Sequence, residues 1–414
     1  MAKGLYNQFS DVWIVDGVRT PFIDYCGALG QVSPTDMGIK VAREILRRTG
    51  TDPASVESVL TGNMAQASFD AFVLPRHVGL YAGVPVEVGA INVQRICGTG
   101  FELFRQAGEQ IELGMIATAL VVGTESMSRN PIAAYTHRTG FRLGAGVAFK
   151  DFLWEALIDP AADVTMIQTA ENLAKKYGIT RAEVDAFASE SFARAVAARE
   201  RGFHAGEIVA VANEKFELAG YQSRSLKISG KEKLLEQDTH PRISPVEVLA
   251  KLRTVYADGV QTGGNSSALV DGAAAAVVAS GTVAKQAGRK PLARLVAAAV
   301  VGVPPEIMGI GPAPAIRLLL DRSGLTLDDI NLFEINEAQG AQALAVQREL
   351  GLDPARLNAN GGAIAIGHPL AATGVRLTVT AVRALAERGG KYAIASACVG
   401  GGQGIALLLE NPTP

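Results

Sequence analysis

The sequence predicts an α/β fold made of two βα units with a helical insertion between them. Strand and helix signals alternate from residue 12 to about residue 128 and return from residue 271 to the end. Residues 129–256 are instead rich in charged residues and helix formers. The alternation favours a mostly parallel sheet covered by helices, and the flanking parts are similar enough in length and type to indicate a duplication. Direct self-comparison of the sequence leaves that duplication open.

The first unit opens with a buried strand at VWIV (12–15), followed by a helix whose two ends are marked. Ser33 and Pro34 are a typical N-cap and first helical residue, and Gly50 is typical of a helix end. The next predicted elements are strand SVLTGN (58–63), helix LPRHVGLYAG (74–83), strand INVQRI (91–96), helix FELFRQAGEQIELG (101–114) and strand ALVVGTES (119–126).

The insertion is predicted to form helices joined by polar loops, and the second unit follows it. The elements of that unit are strand DGAAAAVVAS (271–280), strand ARLVAAAVVG (293–302), strand LFEIN (332–336), helix AQALAVQREL (341–350), helix ATGVRLTVTAVRALAERG (372–389) and strands YAIASAC (392–398) and GIALLLE (404–410). With 414 residues, the chain exceeds the roughly 250–300 that one hydrophobic core supports.

Composition argues against several classes of protein. The net charge is −2 without a block of Lys and Arg, so no nucleic-acid partner is expected. No apolar run approaches the ~18 residues of a membrane span, and the N-terminal residues lack the apolar core of a signal peptide. The histidines lack metal-ligand spacing, so no metal is expected. Three widely separated cysteines indicate free thiols and predict a cytoplasmic location.

Cys97 lies where a predicted strand turns into a helix. A lone Cys is usually a small buried hydrophobic residue. The start of a helix, however, favours a thiolate and would lower the pKa of the thiol, which is typical of a nucleophile. Gly98 and Gly100 would let a substrate or other backbone approach closely, and both interpretations stay open from this segment alone.

Three further segments carry groups that chemistry could use. His368 lies on a glycine-rich loop before a helix and could act as a base near pH 7, although a lone His is more often structural. Cys398 precedes Gly400–Gly402, a run whose N–H groups either bind an oxyanion or simply form a hairpin. Asn336 follows a strand and either orients a water or carbonyl oxygen or caps a helix.

Together these segments resemble the thiolase family over nearly the whole chain. The motifs are, in order, DGVRTPF (16–22), INVQRICGTG (91–100), VVGTESMS (121–128), ADVTMIQTAENLAKKYGITRAEVDAFA (162–188), GGNSSALVDGAAA (263–275), EINEAQGAQA (334–343), NGGAIAIGHPLAATG (360–374) and CVGGGQG (398–404). The resemblance implies the thiolase fold, with duplicated βα core domains in α-β-α-β-α layers. The implied domains are an N-terminal core of residues 1–128 and 257–285, a loop domain of 129–256 and a C-terminal core of 286–414.

The resemblance implies an acyltransferase that cleaves 3-ketoacyl-CoA with CoA or runs the reverse Claisen condensation. Cys97 would be the acylated nucleophile, His368 its base and Cys398 the second acid/base. Asn336 would hold a water that forms one oxyanion site with His368, and the N–H groups of Cys97 and Gly400 would form the other. Coenzyme A is then a substrate, and no permanently bound cofactor is expected.

The resemblance also implies contacts beyond the reacting groups. Ser267, Met308 and Met166 would line the channel for the pantetheine arm of CoA. The loop domain would bind CoA and make oligomer contacts, with residues 128–144 mediating tetramer contacts in many members. A homodimer or homotetramer is therefore expected.

The sequence departs from the family pattern at several positions near that channel. Thr165 stands where short-chain biosynthetic members commonly have His, and Ile167 stands where a Gly is usual. Gln339 replaces the usual Phe after Asn-Glu-Ala, and Ala371 replaces a Gly in the loop of His368. These departures weaken an acetoacetyl-specific interpretation most and leave the preferred chain length open.

Two other kinds of protein are alternatives to a thiolase. A ketoacyl synthase of the same fold would lack the second catalytic cysteine, and Cys398 argues against it. A non-catalytic protein that binds acyl-CoA or lipid would be expected to have lost Cys97, His368 or Cys398, and all three are present.

Overall fold

The computed structural model of the protein describes residues 3–65, 69–286 and 290–413. Residues 1–2, 66–68, 287–289 and 414 of the predicted units lie outside the described residues. The strands are β1 (Leu5–Gln8), β2 (Val12–Arg19), β3 (Ile23–Asp24), β4 (Ser58–Gly62), β5 (Ala90–Val93), β6 (Thr118–Glu125), β7 (Ile132–Ala133), β8 (Lys150–Asp151), β9 (Ile158–Asp159), β10 (Val164–Thr165), β11 (Val211–Ala212), β12 (Glu214–Phe216), β13 (Arg224–Leu226), β14 (Leu234–Leu235), β15 (Val270–Ser280), β16 (Ala293–Gly302), β17 (Leu332–Ile335), β18 (Tyr392–Val399) and β19 (Gln403–Glu410). The α-helices are α1 (Pro34–Thr49), α2 (Leu74–Tyr81), α3 (Thr99–Glu112), α4 (Phe152–Glu155), α5 (Met166–Tyr177), α6 (Arg181–Glu200), α7 (Val246–Leu249), α8 (Gly281–Gln286), α9 (Pro312–Ser323), α10 (Gly340–Leu350), α11 (Ala363–Ile366) and α12 (Leu370–Glu387).

The first helix shows how local sequence fixes an element. The Ser33 hydroxyl accepts a hydrogen bond from the Thr35 N–H at 3.2 Å, and Pro34 is the first residue of α1. Gly50 follows the helix with φ 67°, a left-handed conformation that glycine adopts without a steric penalty. The predicted helix ends are therefore confirmed.

Among the described strands, eleven form one mixed sheet in the order β17-β18-β19-β16-β2-β15-β6-β4-β5, with β1 added to β16 and β3 to β15. Three neighbouring pairs in this order are parallel, namely β17 with β18, β4 with β5 and β4 with β6. The other five pairs are antiparallel. The expectation of a mostly parallel sheet is therefore wrong.

The connections explain the antiparallel pairs. Strands β18 and β19 are joined by a run of three glycines, and a connection that short can join only antiparallel neighbours. Strand β15 follows the long insertion rather than a single crossover helix, so the rule for βαβ units does not set its direction.

Helices α3 and α12 lie between the two halves of the sheet. Both contact β6 and β15 of the N-terminal half, and both contact β19 of the C-terminal half. Helices α1 and α2 cover the outer face of the N-terminal half, whereas α9 and α10 cover the outer face of the C-terminal half. The predicted α-β-α-β-α layering is therefore confirmed.

The insertion between β6 and β15 is mixed rather than purely helical. Within the described residues it contains α4 to α7 and four two-stranded pairs, β7–β8, β9–β10, β11–β14 and β12–β13. The side chains of Thr165 and Thr180 cap its two long helices, α5 and α6. These helices pack on α10 and α11 of the C-terminal half. As a result, these two helices sit against the C-terminal half, with Met166 at the start of α5, whereas later residues of the insertion such as Val211 and Phe216 pack on the N-terminal half.

Candidate active site

Cys97 lies in a tight turn that precedes α3. Strand β5 ends at Val93, three residues earlier than predicted, and residues Ile96–Gly98 form a 3-10 turn. Ile96 has φ 43°, a conformation that costs a β-branched residue about 1–3 kcal/mol. The hydroxyl of Thr99 accepts from the Arg95 N–H at 2.8 Å and donates to the Ile96 carbonyl at 2.7 Å. These two bonds hold the strained turn and fix the position of the thiol.

The electrostatic environment of Cys97 differs from the prediction. Cys97 is buried, and its own N–H and that of Gly400 donate toward its sulfur. Burial nevertheless raises the pKa of the Cys97 thiol to about 12, and these two N–H groups offset only part of that rise. The expectation that the helix start lowers this pKa is wrong, because desolvation of the thiolate outweighs the helix terminus. The resting residue is a neutral thiol.

The two glycines after Cys97 serve packing rather than access. A Cβ on Gly100 would lie 2.5 Å from the Val375 nitrogen of α12, and a Cβ on Gly98 would lie 2.7 Å from the Val399 side chain. Both positions are therefore filled by neighbouring protein atoms. Of the two alternatives, close approach of other backbone is confirmed at Gly100, and the space belongs to the close contact of α3 with α12 and β18.

His368 lies on the loop between α11 and α12, and its hydrogen bonds select one tautomer. The Asn336 amide nitrogen lies 3.3 Å from Nε2, and the Thr373 hydroxyl lies 2.6 Å from Nδ1 while donating to the Pro369 carbonyl at 3.1 Å. Nε2 must then accept and Nδ1–H must donate. Burial, with the nearby Arg376 charge, lowers the pKa of His368 to about 3. The imidazole is neutral at physiological pH, with its Nε2 lone pair available as a base.

Asn336 follows β17 and is fully buried. Its backbone N–H donates to the Ser396 carbonyl at 2.9 Å, which ties it to β18. Its Oδ1 is buried and has no partner among the described residues. A buried polar atom of this kind normally finds a water or ligand partner, which fits the predicted water-binding role.

Cys398 is the penultimate residue of β18 and is completely buried. It packs with Met308, Ala338 and Met166. Burial, reinforced by the nearby Cys97, raises the pKa of the Cys398 thiol. The two cysteines are thus close enough for their charges to interact, although they are far apart in the sequence.

A cavity of about 610 Å³ borders these groups. His368 and Leu370 line it, and Leu370 also packs with Cys97. Met166 lines it and packs with Cys398. The imidazole therefore lines the cavity directly, and each thiol belongs to a buried cluster that shares a residue with the cavity wall.

Two of the three predicted CoA contacts line this cavity. Ser267 and Met166 are on its wall, together with the three family departures Thr165, Ile167 and Gln339. Met308 is instead buried behind Cys398 and is absent from the described lining. The contact of Met308 with CoA stays a prediction.

Glu125 and Thr373 position parts of the site but are not among the candidate residues that the sequence indicated. The Glu125 carboxylate accepts the N–H groups of Met64, Ala65 and Ala371 at 3.0–3.2 Å, so it fixes the loop that follows His368. Burial raises the pKa of Glu125 to about 7. A charged residue at the end of the apolar run ALVVGT was a usable signal, whereas the role of Thr373 depends on the fold of the loop.

The described residues contain no group of three His, Cys, Asp or Glu side chains placed to hold a metal ion. Across the same part of the chain, every helix is too short or too polar to cross a membrane.

The fold and site together define an acyltransferase with a buried cysteine. The chain matches the family descriptions "Thiolase, N-terminal domain" over residues 12–282 and "Thiolase, C-terminal domain" over residues 289–411. It is 42% identical over 402 residues to the mitochondrial 3-ketoacyl-CoA thiolase of Bos taurus, covering 97% of this chain and 98% of that protein. The chain belongs to the thiolase family, whose reaction is thiolytic cleavage of a 3-ketoacyl-CoA or the reverse condensation.

Two further proteins show the range of the similarity. The chain is 41% identical over 409 residues to a beta-ketoadipyl-CoA thiolase of Acinetobacter baylyi, covering 96% of this chain and 99% of that one. The crystal structure of human mitochondrial 3-ketoacyl-CoA thiolase in complex with CoA superposes with a TM-score of 0.91 at 41% identity, covering 97% and 98% of the two chains.

Proposed function

We propose that this protein cleaves 3-ketoacyl-CoA with CoA through an acyl group carried on Cys97. The Cys97 sulfur attacks the C3 carbonyl while His368 Nε2 takes the thiol proton. The C2–C3 bond then breaks, and Cys398 gives a proton to C2 of the departing acetyl-CoA. The imidazolium of His368 then restores the proton of Cys398. As the thiol of a second CoA attacks the acyl-Cys97 thioester, His368 takes the proton of that thiol and passes it to the departing Cys97 sulfur. The shortened acyl-CoA is released and the free Cys97 thiol is restored.

Two sites stabilise the charges that develop in these steps. The N–H groups of Cys97 and Gly400 donate to the tetrahedral oxyanion at C3. His368 and a water on Asn336 Oδ1 stabilise the enolate of acetyl-CoA. Loss of one such donor typically costs about 3 kcal/mol in the barrier.

The observation that carries the proposal is that His368 lines the cavity and that Cys97 and Cys398 lie in buried clusters that share a residue with its wall. Burial keeps both Cys97 and His368 uncharged at rest. Proton transfer from the Cys97 thiol to the imidazole is therefore coupled to attack on the C3 carbonyl rather than completed before it. This pairing follows the general logic of a nucleophile activated by an adjacent base.

The test is incubation with acetyl-CoA followed by mass spectrometry of the intact protein and its peptides. We expect one acetyl group on Cys97 and none in Cys97→Ala. The exposed Cys26 provides the matched control, since Cys26→Ser leaves the site intact. An unmodified Cys97 under turnover conditions would favour a protein that binds acyl-CoA without reacting.

We further propose a degradative role with acyl chains longer than acetoacetyl, as in fatty acid β-oxidation. Thr165 and Gln339 replace residues that thiolases usually carry beside the channel, and both line the cavity. Thiolytic kcat/KM measured over 3-ketoacyl-CoA chains of increasing length tests this directly. A sharp maximum at acetoacetyl-CoA would instead indicate a short-chain acetyltransferase.

We also propose that CoA is bound only as a substrate and that the protein is a cytoplasmic homodimer or homotetramer. The free thiols Cys26, Cys97 and Cys398 support a reducing compartment. Exposed apolar side chains in the insertion, including Tyr135 and Phe141, support assembly through that segment. Light scattering after gel filtration gives the oligomeric state, and cell fractionation gives the location.

A further inference from the structure

Gln339 stands beside the cavity with its side-chain amide held in one orientation. The backbone N–H of Ala341 donates to Gln261 Oε1 at 2.9 Å, which leaves the amide nitrogen of Gln261 as the donor on its other side. That nitrogen donates to Gln339 Oε1 at 2.9 Å. A backbone N–H is always a donor, so the orientation of both amides follows from this chain.

Two more bonds anchor the same side chain. The Ser266 hydroxyl shares its one hydrogen between Gln339 Oε1 at 2.6 Å and the Thr262 carbonyl at 2.8 Å. The backbone N–H of Gln342 also donates to the Gln339 side chain, at the first turn of α10. With the oxygen of Gln339 held on one side, its NH2 group is the part left to interact elsewhere.

The scaffold behind Gln339 is rigid. The Gln261 N–H donates to the Glu171 carboxylate at 2.8 Å, and the side chain of Asn265 donates to Asp185 at 2.8 Å. Gln261 and Asn265 are both fully buried. An amide fixed by such a network presents its donor with little loss of conformational entropy when a ligand binds.

The free NH2 group has a place to act. Gln339 lines the cavity with His368 and Ser267, and its neighbour Ala338 packs on Cys398. Among the described residues, none accepts a hydrogen bond from Gln339 Nε2. Phe, the residue usual in thiolases here, would offer an apolar ring instead of a donor.

We infer that Gln339 determines specificity by donating from Nε2 to an oxygen atom of the bound CoA thioester. This inference rests on the proposed function and goes further by naming the recognised group. The acceptor is a carbonyl of the pantetheine arm or an oxygen on the acyl chain. The chemistry is the same in both cases, and the experiment separates the two sources.

Three variants isolate the donor. Gln339→Glu keeps an oxygen that accepts from Gln261 and Ser266 but loses the NH2 group. Gln339→Met keeps the approximate length and loses all hydrogen bonding. Ser266→Ala removes one anchoring bond and leaves the Gln339 donor in place, so it is the matched control. Thermal melting of each variant verifies that it is folded.

The readouts are the Kd of CoA by calorimetry and kcat/KM for two substrates of equal length. One substrate is 3-oxohexanoyl-CoA, and the other is the corresponding six-carbon 3-oxo acyl-CoA that ends in a carboxylate. In the readout that involves the hydrogen bond, we expect both Gln339 variants to bind CoA about five- to tenfold more weakly or to show a kcat/KM about five- to tenfold lower, as for one neutral hydrogen bond. We expect Ser266→Ala to change either quantity by no more than about twofold.

The pattern of losses identifies the acceptor. A weaker Kd for CoA with equal losses for both substrates supports a pantetheine carbonyl. An unchanged Kd with a loss confined to the carboxylate substrate supports an acyl oxygen. If the wild type acetylates Cys97 and both Gln339 variants differ from it by less than twofold in every readout, this inference alone is overturned. Failure of the wild type to acetylate Cys97 overturns the proposed function instead.

Discussion

The two halves of the molecule share one strand order but equip it with different chemical groups. The N-terminal half has the order β5-β4-β6-β15-β2, and the C-terminal half has β17-β18-β19-β16. When the strands of the first half are numbered along the chain, their order in the sheet is 3-2-4-5-1. The second half has the order 2-4-5-1 when the number 3 is kept for a strand between β17 and β18. In the second half the third strand is represented by a parallel bridge between Phe333 and Leu357. The topology therefore supports the duplication that sequence self-comparison left open.

The shared order brings the nucleophile and the base to corresponding points. Cys97 lies between the third strand of its half and α3. His368 lies between the bridge at Leu357 and α12. Because α12 packs on α3 and on the Ile96–Gly98 turn, the turn that carries Cys97 lies against the helix that follows His368, where the two copies meet.

Strand register extends this correspondence to the ends of the strands. In the first half, Gly62 of β4 lies opposite Gly123 of β6. In the second half, Ile335 of β17 lies opposite Ser396 of β18. Asn63 is the residue after Gly62, and Asn336 is the residue after Ile335. Glu125 lies two residues beyond Gly123, and Cys398 lies two residues beyond Ser396.

Asn63 therefore corresponds to Asn336, and Glu125 corresponds to Cys398. The Oδ1 atoms of both asparagines are buried and lack a partner among the described residues. Asn63 nevertheless donates to Glu125 at 3.1 Å, whereas Asn336 faces His368 at 3.3 Å. The comparison teaches that the first half uses these positions to hold loops in place, whereas the proposed mechanism uses them for the reaction in the second half.

The strongest test of this division of roles replaces Cys398, which lies on the fourth strand of the second half. We expect Cys398→Ala to lower thiolytic kcat by about 10²–10⁴, the usual range for loss of an acid/base group. Acetylation of Cys97 by acetyl-CoA should survive, because that step needs no proton at carbon. Stopped-flow turnover and mass spectrometry give the two numbers. Equal loss of both steps would assign Cys398 a merely structural role.

The second test compares the two asparagines. Asn336→Ala should lower kcat by about 10²–10³, as for one oxyanion donor. Asn63→Ala should lower the free energy of unfolding by about 1–3 kcal/mol through its lost buried hydrogen bonds, with kcat within about threefold. Urea melts and steady-state kinetics measure both. The division of roles is contradicted if Asn63→Ala reduces kcat as much as Asn336→Ala.

The third test uses pH to probe Cys97 and His368, which precede the two central helices α3 and α12. Because the pKa of Cys97 is raised to about 12, the thiolate fraction should grow about tenfold per pH unit from pH 6 to 10. Iodoacetamide alkylation of Cys97 in the Cys26→Ser background should follow that slope without a plateau. A plateau near pH 8 would mean that the N–H groups at the turn outweigh burial.

Since the pKa of His368 is lowered to about 3, its protonation should cause no loss of kcat/KM between pH 8 and 5.

The smallest expected effect concerns the contact between the central helices. Gly100→Ala places a methyl group against the α12 backbone and should cost about 1–3 kcal/mol of unfolding free energy. Gly89→Ala is the control, since a Cβ there meets nothing within 4 Å. Thermal melts compare the two variants. A neutral Gly100→Ala would show that the helices can separate without loss.

The sequence was most informative where the signal is local. The cap at Ser33, the helix end at Gly50 and the glycine hairpin after Cys398 depend on a few neighbouring residues, and the structure has them as predicted. The motif set around Cys97, Asn336 and His368 likewise indicated the family from short segments alone. The direction of β15 was predicted wrongly because it depends on a connection that spans more than a hundred residues.

By itself, the sequence determined which reactive groups the chain carries and the backbone turns that hold them. The tertiary structure alone decided their protonation, because the burial that raises the pKa of Cys97 and lowers that of His368 comes from residues far along the chain. It also decided that Gly100 serves helix packing and that Gln339 presents a donor, since both depend on distant partners. Local conformational preference acts within a few residues, whereas desolvation and close packing exist only once the two halves have come together.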